Sequence, residues 1–452
     1  MKTLEKSNVD KIFRAYDIRG IAGSEIDKAL CFAVGYALSK FFKKICVAHD
    51  HRMSSEEFAK SLINGFTING NKAIFIGMTP TPIVQFASRK LNCEAGVMIT
   101  ASHNPKEYNG IKVFRNDGER MNWEEVKKII LEEKQKIISL FSQSKEKEYE
   151  KLNVIPYYKE FLQNTFKFRK KYKIVIDGSN GPMGNLAKEI LEGFGFETIC
   201  IACEIDPNFP AHEPDPSKEK NTELCKKKVK QEKADFGLCF DGDGDRIIMI
   251  DEKSRFIPGD YLLAILSFLY EKPKVVTEVK ASKAVIEFIQ SRGGEVILER
   301  VGNVFVRKTM LKQSCDFAGE YSGHYFFKEY PVDDSLFAAL KVISVIEKTN
   351  KPLGEIFDII PKYYSSPEIR IKVGEKEKWK IVEEAKKYFS KLGNVIDIDG
   401  IRVETQNAWG LLRASNTEPK ISIRIEGKTK SAYEDMLKKF LEFLKKQGIE
   451  VK

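Results

Sequence analysis

The residues with the clearest potential for chemistry form a short acidic run, Asp241-Gly242-Asp243-Gly244-Asp245-Arg246. Three carboxylates at alternate positions, with glycines between them, can converge on one hard cation through oxygen ligands. Together with Glu252 they also match the ligand spacing of an EF-hand calcium loop. Arg246, however, stands where that loop needs glycine, and the flanking DFGLCF and IIMI are typical of strands, not helices. We therefore predict a metal site on a strand-to-strand loop; an EF-hand and a plain acidic turn are the alternatives.

A second candidate follows the apolar run AGVMIT, in the sequence Thr100-Ala101-Ser102-His103-Asn104-Pro105. Such residues can simply cap a helix or stabilise a turn before proline. A hydroxyl at a strand end that faces a metal loop is also what a covalent phosphoryl carrier needs. Lys112, in YNGIKVF, is either a solvated lysine or a cation whose pKa falls because positive neighbours enclose it.

Two further loops could recognise a phosphorylated sugar. Gly319-Glu320-Tyr321-Ser322-Gly323-His324 combines a carboxylate, hydroxyls and an imidazole, although a lone loop histidine is more often structural. Arg413-Ala414-Ser415-Asn416-Thr417-Glu418-Pro419 offers an arginine, hydroxyls and backbone N–H groups that can enclose a phosphate. The sequence has no Walker A loop and no GxGxxG after a strand, so it does not support nucleotide binding.

Alternating strand and helix patterns must position these loops. Continuous apolar runs separated by helix-length intervals predict parallel strands buried on both faces, at 43–48, 72–77, 95–100, 173–178, 197–203, 235–240 and 274–279. Similar tetrads begin at Cys93, Ala234 and Cys315, and each is followed at the same distance by Ser102, Asp243 or His324. This echo predicts three related α/β domains, each sending a polar loop from a strand end toward one cleft. From about residue 367 the pattern changes to antiparallel strands and predicts a separate α+β domain.

Composition narrows the class of protein. The chain has 452 residues, a hydrophobic content of 42% and a net charge of +10, which is spread along the sequence and not gathered in one basic face. Nucleic-acid binding is therefore not expected. The N-terminus lacks the apolar segment of a secretory signal, and no run is long enough to span a bilayer, so a cytoplasmic protein is expected. The eight cysteines, including the Cys200-x-x-Cys203 pair, are expected to be buried free thiols and not zinc ligands or a redox pair.

Taken together, these motifs resemble the α-D-phosphohexomutase family, most closely its phosphomannomutase/phosphoglucomutase branch. The resemblance rests on FRAYDIRG (13–20), TASHNP with YNGIK, DGDGDR, GEYSGH and RASNTEP, in the family's order across almost the whole chain. It implies a heart-shaped enzyme with three α/β domains of mixed, largely parallel sheets and a C-terminal α+β domain around a central cleft. The corresponding domain boundaries are 1–150 with the phosphoserine loop, 151–252 with the metal loop, 253–366 with the sugar-binding loop and 367–452 with the phosphate-binding loop.

The resemblance also implies roles for individual residues. Ser102 matches the phosphoserine, which with Asp241, Asp243 and Asp245 would bind Mg²⁺. The implied catalytic and charge-stabilising groups near it are Lys112, Arg19, His324 and His103. The implied substrate-binding residues are Tyr16, Arg246, Lys280, Asn303, Glu320, Ser322, Arg413, Ser415, Asn416 and Thr417. Asn303 departs from the pattern because relatives often have histidine there, which leaves its role open, and Gly244 replaces a common alanine.

The implied activity is reversible transfer of a phosphoryl group between hexose 1-phosphate and hexose 6-phosphate, where the hexose is mannose and/or glucose. A sugar 1,6-bisphosphate is the implied intermediate and activator. A monomer or small homo-oligomer with a hexose phosphate substrate and neither nucleic-acid nor membrane partners is expected. Phosphoglucosamine mutase is an alternative, although such relatives tend to have a GTDG-type motif in place of AYDIRG. A non-catalytic calcium- or sugar-phosphate-binding protein is a second alternative. We also expect a hinge near residues 364–368.

Overall fold

The computed structural model describes residues 2–14, 16–117, 119, 121–145, 149–415 and 419–449. Elements of the first part are α1 (Lys6–Ile12), β1 (Ile18–Ile21), α2 (Lys28–Leu38), β2 (Lys44–His49), α3 (Ser55–Thr67), β3 (Lys72–Met78), α4 (Thr81–Lys90), β4 (Ala95–Ile99), β5 (Tyr108–Arg115), α5 (Trp123–Glu132), α6 (Lys134–Gln143) and β6 (Glu150–Lys151). They are followed by α7 (Ile155–Thr165), β7 (Lys173–Asp177), α8 (Met183–Gly193), β8 (Glu197–Ile201), α9 (Glu223–Glu232), β9 (Phe236–Phe240), β10 (Ile247–Asp251) and β11 (Phe256–Ile257).

The second half continues this alternation before it changes character. Its elements are α10 (Gly259–Leu266), β12 (Lys274–Glu278), α11 (Lys283–Ser291), β13 (Glu295–Glu299), α12 (Asn303–Lys312), β14 (Phe317–Gly319), β15 (Tyr325–Phe327), α13 (Ser335–Thr349) and α14 (Leu353–Ile359). The C-terminal part contains β16 (Tyr364–Ser365), β17 (Ile369–Lys372), α15 (Glu377–Phe389), β18 (Asn394–Ile396), β19 (Ile401–Glu404), β20 (Ala408–Ala414), β21 (Lys420–Gly427) and α16 (Lys430–Lys446). All the strands predicted from apolar runs are present, with ends shifted by one or two residues.

The chain forms two compact units, Met1–Gly259 with Ser322–Glu355, and Asp260–Tyr321 with Ile356–Lys452. In the first unit, one sheet has the order β1-β5-β4-β2-β3-β6 and another has the order β11-β10-β9-β7-β8. β2, β3 and β4 are parallel, as are β7, β8 and β9, whereas β5 and β10 run antiparallel to their neighbours. Every residue of β4 and β9 is buried, as expected for strands covered on both faces.

This topology decides which loops meet. β2 and β4 are parallel neighbours, with Cys46 opposite Gly96 and His49 opposite Ile99. The loops that leave their carboxyl ends therefore lie at the same sheet edge, which is where ligands of open α/β sheets bind. The loop after β4 contains Ser102, and the acidic run forms the connection of the β9–β10 hairpin.

In the second unit, β12 pairs in parallel with β13 and β14. The C-terminal sheet has the order β16-β21-β20-β19-β18, and β17 pairs antiparallel with β21. Its buried face packs on residues of α15 and α16, such as Phe389 and Phe440. The α+β character expected after residue 367 is thus confirmed. The expected hinge segment contributes Tyr364 and Ser365 to this sheet through β16, and its motion stays a prediction.

One expectation about the cysteines is wrong. Cys200 and Cys203 form a disulfide, because Cys200 lies in β8 and the turn after the strand brings Cys203 back to a Cα–Cα distance of 5.8 Å. The other six cysteines are buried and free, as expected. Among the described residues, none of the helices has the length and apolar character needed to cross a membrane.

Candidate active site

The acidic loop gathers three buried carboxylates on the β9–β10 hairpin. Asp241, Asp243 and Asp245 are each at most 1% exposed, and one ligand oxygen from each lies within 4.8 Å of the others. The backbone N–H groups of Asp245 and Arg246 donate to Asp241 Oδ1 at 3.0 and 3.1 Å, which fixes that carboxylate. Gly244 adopts φ +73°, the left-handed conformation that glycine tolerates best, so it suits the tight turn between two of the acids.

The donor set fits a hard cation. Asp243 Oδ1 and Asp245 Oδ1 are buried and accept no hydrogen bond from any described residue. Buried carboxylate oxygens without partners are costly unless a cation is bound. Burial and the two neighbouring acids raise the pKa of Asp241 well above its ordinary value, which is the effect expected of like charges held together. The hairpin therefore has the composition and the unsatisfied oxygens of a metal site, and its strand flanks exclude the EF-hand alternative.

Ser102 faces this loop as predicted. Its side chain is buried, and Oγ donates a hydrogen bond of 2.9 Å to Asp241 Oδ2. The backbone of Ser102 has φ +52°, a left-handed conformation that is uncommon for residues other than glycine. Strained backbone of this kind is often found at functional sites. The hydroxyl is thus held against the candidate metal ligands by the fold of its loop and does not cap a helix.

Lys112 lies on β5 and forms ion pairs with two of the three acids. Its Nζ contacts Asp243 Oδ2 at 2.8 Å and Asp245 Oδ2 at 2.6 Å. Neither alternative for Lys112 is right. The side chain is only 13% exposed, and although burial alone would lower the pKa of Lys112, Asp243 and Asp245 raise it above its ordinary value. Lys112 is consequently a fixed cation.

The two candidate histidines differ in their charge. His103 Nδ1 lies 3.2 Å from Ser102 Oγ, and burial together with Arg246 and other cations lowers the pKa of His103 well below its ordinary value. His324 Nδ1 lies 2.7 Å from Asp333 Oδ2, and although burial opposes it, Asp333 raises the pKa of His324 to about 9. A neutral imidazole beside Ser102 and a charged one nearby therefore follow from their different partners.

Two arginines complete the cationic surroundings in this unit. Arg19 Nη1 donates to Asn104 Oδ1 at 2.6 Å, and Nη2 pairs with Asp17 at 2.6 Å. Arg246 Nε lies 3.0 Å from His324 Nε2. The loops at Ser102, Asp243 and His324, predicted from the repeated tetrads to share one cleft, thus do come together.

The second unit contains most of the predicted substrate-binding residues. Glu320 Oε1 accepts from the N–H of Gly302, directly before Asn303 at the start of α12. Asp399 Oδ2 accepts from Val301 N at 3.0 Å and contacts Arg413 Nη2 at 3.0 Å. These contacts place the loop before Asn303 beside both Glu320 and, through Asp399, Arg413.

The remaining predicted positions lie around these groups. Lys280, 8% exposed, has its Nζ 3.5 Å from Glu278 Oε1. Ser415 follows β20, and its carbonyl accepts from Lys378 Nζ at 2.9 Å. Tyr16 and Ser322 are half-buried in the first unit. Asn416 and Thr417 lie outside the described residues.

Sequence reasoning missed residues that organise the site. Thr81 Oγ1 donates to Asp243 Oδ2 at 2.6 Å, and Asp333 pairs with His324. Asp399 connects two substrate loops. Thr81 comes soon after the predicted strand at 72–77, so the strand-end rule could have found it, whereas Asp333 and Asp399 carry no comparable signal.

Comparison with known proteins agrees with this geometry. Four family models match consecutive parts of the chain: phosphoglucomutase/phosphomannomutase alpha/beta/alpha domain I at residues 10–138, domain II at 156–254, domain III at 258–363 and the C-terminal domain at 368–443. The phosphomannomutase/phosphoglucomutase of Pseudomonas aeruginosa is 34% identical over 435 residues, covering 94% of this chain and 93% of the relative.

Two further matches extend the comparison. A probable phosphoglucosamine mutase of Methanosarcina acetivorans is 33% identical over 427 residues, covering 93% of this chain and 96% of the relative. The crystal structure of a phosphoglucomutase/phosphomannomutase family protein from Burkholderia thailandensis superposes with a TM-score of 0.87 at 27% identity, covering 98% of each chain. With all four domain models matched in order, this chain belongs to the phosphoglucomutase/phosphomannomutase family.

Proposed function

We propose that this enzyme reversibly interconverts hexose 1-phosphates and hexose 6-phosphates, with mannose, glucose or both as its sugars. Ser102 would carry the phosphoryl group, and a sugar 1,6-bisphosphate would be the intermediate. The observation that carries the proposal is the 2.9 Å hydrogen bond between Ser102 Oγ and Asp241, in a buried cluster of acids and cations. Family membership supports the reaction class.

In the first transfer, the bond between phosphorus and Oγ of phosphorylated Ser102 breaks as a bond forms between phosphorus and the oxygen of the free hydroxyl of the sugar phosphate. The proton of that hydroxyl is released, and Ser102 Oγ gains one. His103 is the candidate to exchange this proton with Oγ, because its nitrogen lies 3.2 Å away and its lowered pKa favours the neutral imidazole. After the bisphosphate has reoriented, Ser102 recovers a phosphoryl group from the other end.

Charge stabilisation must supply most of the acceleration, since uncatalysed phosphate-ester cleavage is extremely slow. Lys112, Arg19, Arg246 and His324 are the cations proposed to stabilise negative charge on the transferred group. Because ion pairs and hydrogen bonds already hold these side chains in place, they do not have to reorient during the reaction. Lys112 is assigned a charge-stabilising role here because its raised pKa makes it a poor proton acceptor.

We propose Mg²⁺ as the metal. Asp241, Asp243 and Asp245 would hold it together with an oxygen on Ser102, an all-oxygen set that suits this ion. When bound, the ion would neutralise negative charge on the phosphoryl group.

The second unit is proposed to hold the rest of the substrate. Arg413 and Ser415, with Asn416 and Thr417, would bind the phosphate that is not being transferred. Sugar hydroxyls and the remaining contacts are assigned to Glu320, Ser322, Lys280, Asn303 and Tyr16. The predicted domain boundaries stay a proposal, as do a cytoplasmic location, a monomeric or small homo-oligomeric state and the absence of membrane partners. The absence of nucleic-acid partners is also a proposal, and the dispersed charge of the chain supports it.

Two measurements test the proposal. Intact mass with and without phosphatase treatment should reveal one phosphate, which peptide mapping assigns to Ser102. Parallel assays with glucose 1-phosphate, mannose 1-phosphate and glucosamine 1-phosphate should show turnover of at least one of the first two. Preference for the glucosamine ester would instead favour a phosphoglucosamine mutase, the activity in the name of the Methanosarcina relative. A protein that accepts no phosphate and turns over none of the three esters would refute a mutase.

A further inference from the structure

The guanidinium of Arg52 donates hydrogen bonds to the loop that contains Ser102 and to the first residue of β5. Arg52 lies in the turn between β2 and α3 and is 4% exposed. Nη2 donates to the carbonyls of Ser102 and Asn104 at 2.8 and 2.6 Å, and Nη1 donates to those of Pro105 and Tyr108 at 2.7 and 3.0 Å. Four carbonyls from one short segment thus point at a single side chain.

The loop needs such a partner because it has little regular structure of its own. Residues 100–107 connect β4 to β5, and Ser102 within them has φ +52°. Carbonyls that converge in a buried place must be hydrogen-bonded, and they repel one another unless positive charge is near. Arginine provides five N–H donors in a rigid plane, a geometry that lysine lacks.

Arg52 is itself held in one orientation. The carboxylate of Asp50, 1% exposed, accepts from Arg52 Nε at 3.1 Å and from its backbone N–H at 3.0 Å. Ser55 Oγ donates to the same carboxylate at 2.5 Å, and the ring of Phe209 lies 5.2 Å from the guanidinium carbon. A chain of hydrogen bonds therefore connects Ser55, at the start of α3, through Asp50 and Arg52 to the loop that contains Ser102.

We propose that Arg52 is a positioning residue for phosphoryl transfer, because it fixes the backbone of residues 102–108 so that Ser102 Oγ stays directed at Asp241. This inference rests on the proposed function. Arg52 acts through the loop and has no assigned contact with substrate. Its removal should therefore lower the rate of transfer more than it weakens binding of the hexose phosphate.

The variant that tests this is Arg52→Lys, which keeps the charge and loses the planar fork. We expect kcat for glucose 1-phosphate to fall by roughly 100-fold, the scale of effect that small misplacement of a reacting group produces, while KM changes by less than about threefold. The matched control is Arg255→Lys in the same unit, where Arg255 Nε donates to Asp251 and Nη2 to the carbonyl of Gly354. Its kcat should equal that of the parent.

Circular dichroism and the midpoint of thermal unfolding identify variants that are folded at the assay temperature. If Arg52→Lys does not fold, Asp50→Asn replaces it. This change removes the charge that pairs with Arg52 but keeps a side-chain oxygen that can accept hydrogen bonds from Arg52 and Ser55, and it should lower kcat in the same sense. A folded variant with the parent's kcat, or with a raised KM and unchanged kcat, would overturn the role of Arg52, as would an equal loss in Arg255→Lys. An inactive parent would refute the proposed function instead.

Discussion

Single ion pairs decide what the side chains of the site can do. Lys112 illustrates this, because its amino group lies within 2.8 Å of carboxylates from two of the three candidate metal ligands. A lysine enclosed by cations would lose its proton readily, whereas this one keeps it. The place of Lys112 near the candidate metal ligands agrees with the resemblance, but the fall of its pKa that the sequence suggested does not occur. The sign of a pKa shift depends on the partners, which here are 131 and 133 positions away in the chain.

The first prediction concerns Ser102. Ser102→Ala removes the atom that would carry the phosphoryl group, so mutase turnover should fall by several orders of magnitude while the fold is retained. The assay should contain glucose 1-phosphate and a fixed amount of glucose 1,6-bisphosphate. The matched control is Ser314→Ala, since Ser314 also has φ near +52° but is exposed and belongs to the other unit. Normal turnover by Ser102→Ala would show that another group carries phosphate.

The second prediction concerns pH. Burial raises the pKa of Glu278 to about 7, whereas the ordinary value of a glutamate is 4.5. Between these values the folded protein retains a proton that the unfolded chain has released, so the free energy of unfolding falls as pH rises from about 4.5 to 7. The slope from one such group is at most about 1.4 kcal/mol per pH unit.

The glutamine in Glu278→Gln cannot titrate. The free energy of unfolding of this variant should therefore decrease less between pH 5 and pH 7.5 than that of the parent. Urea unfolding followed by circular dichroism measures the difference. Glu295→Gln, at the exposed start of β13, is the control and should follow the parent. Parallel pH profiles for parent and Glu278→Gln would contradict the assignment of this titration to Glu278.

At the scale of elements, the β9–β10 hairpin is the unit that would bind metal. Removal of metal with EDTA should abolish turnover, and added Mg²⁺ should restore it. Asp243→Asn leaves the hairpin but weakens one ligand, so half-maximal activity should need at least about tenfold more Mg²⁺. Asp235→Asn changes a carboxylate at the opposite end of β9 and should leave the requirement unchanged. Full turnover by the metal-free parent would limit the hairpin to a structural role.

The disulfide gives a prediction at the same scale. A bridge between Cys200 and Cys203 closes a loop of about four residues and should stabilise the folded state by roughly 2 kcal/mol. Dithiothreitol should therefore lower the free energy of unfolding of the parent. The Cys200→Ser/Cys203→Ala double variant, which has no bridge, should be less stable and insensitive to the reductant. Equal sensitivity of both proteins would assign the effect to something other than this bridge.

Elements were more predictable than side-chain partners. β4 and β9 could be predicted because strands buried on both faces are continuous apolar runs, and the loops after them were found because ligands gather at strand ends. The partners of Arg52 and Lys112 depend on strand order and register, which a single sequence specifies only through the whole fold. The bond between Cys200 and Cys203 was missed because its formation depends on the turn after β8.

On the scale of the whole molecule, the proposed reaction draws on both units. Ser102 and the acidic triad belong to the first unit, and Arg413 belongs to the second. A bisphosphate intermediate must be retained while it turns, so one group has to hold the phosphate that is not being transferred. Arg413 suits this role because its side chain is 9% exposed and Asp399 contacts only its Nε and Nη2 among the described residues, which leaves further N–H donors for an anion.

Arg413→Ala should therefore raise KM for glucose 1-phosphate by at least roughly 30-fold, equivalent to about 2 kcal/mol for a lost charge-assisted contact with phosphate. It should also release more glucose 1,6-bisphosphate per turnover than the parent, which ion chromatography of quenched reactions can quantify. Arg292→Ala is the control, because Arg292 lies at the end of α11 in the same unit and stacks on Phe268. The two readouts are separable: a raised KM without escape of bisphosphate would mean that Arg413 binds substrate but does not retain the intermediate. If Arg413→Ala keeps the parent's KM and releases no additional bisphosphate, the phosphate that is not being transferred must be held by other residues.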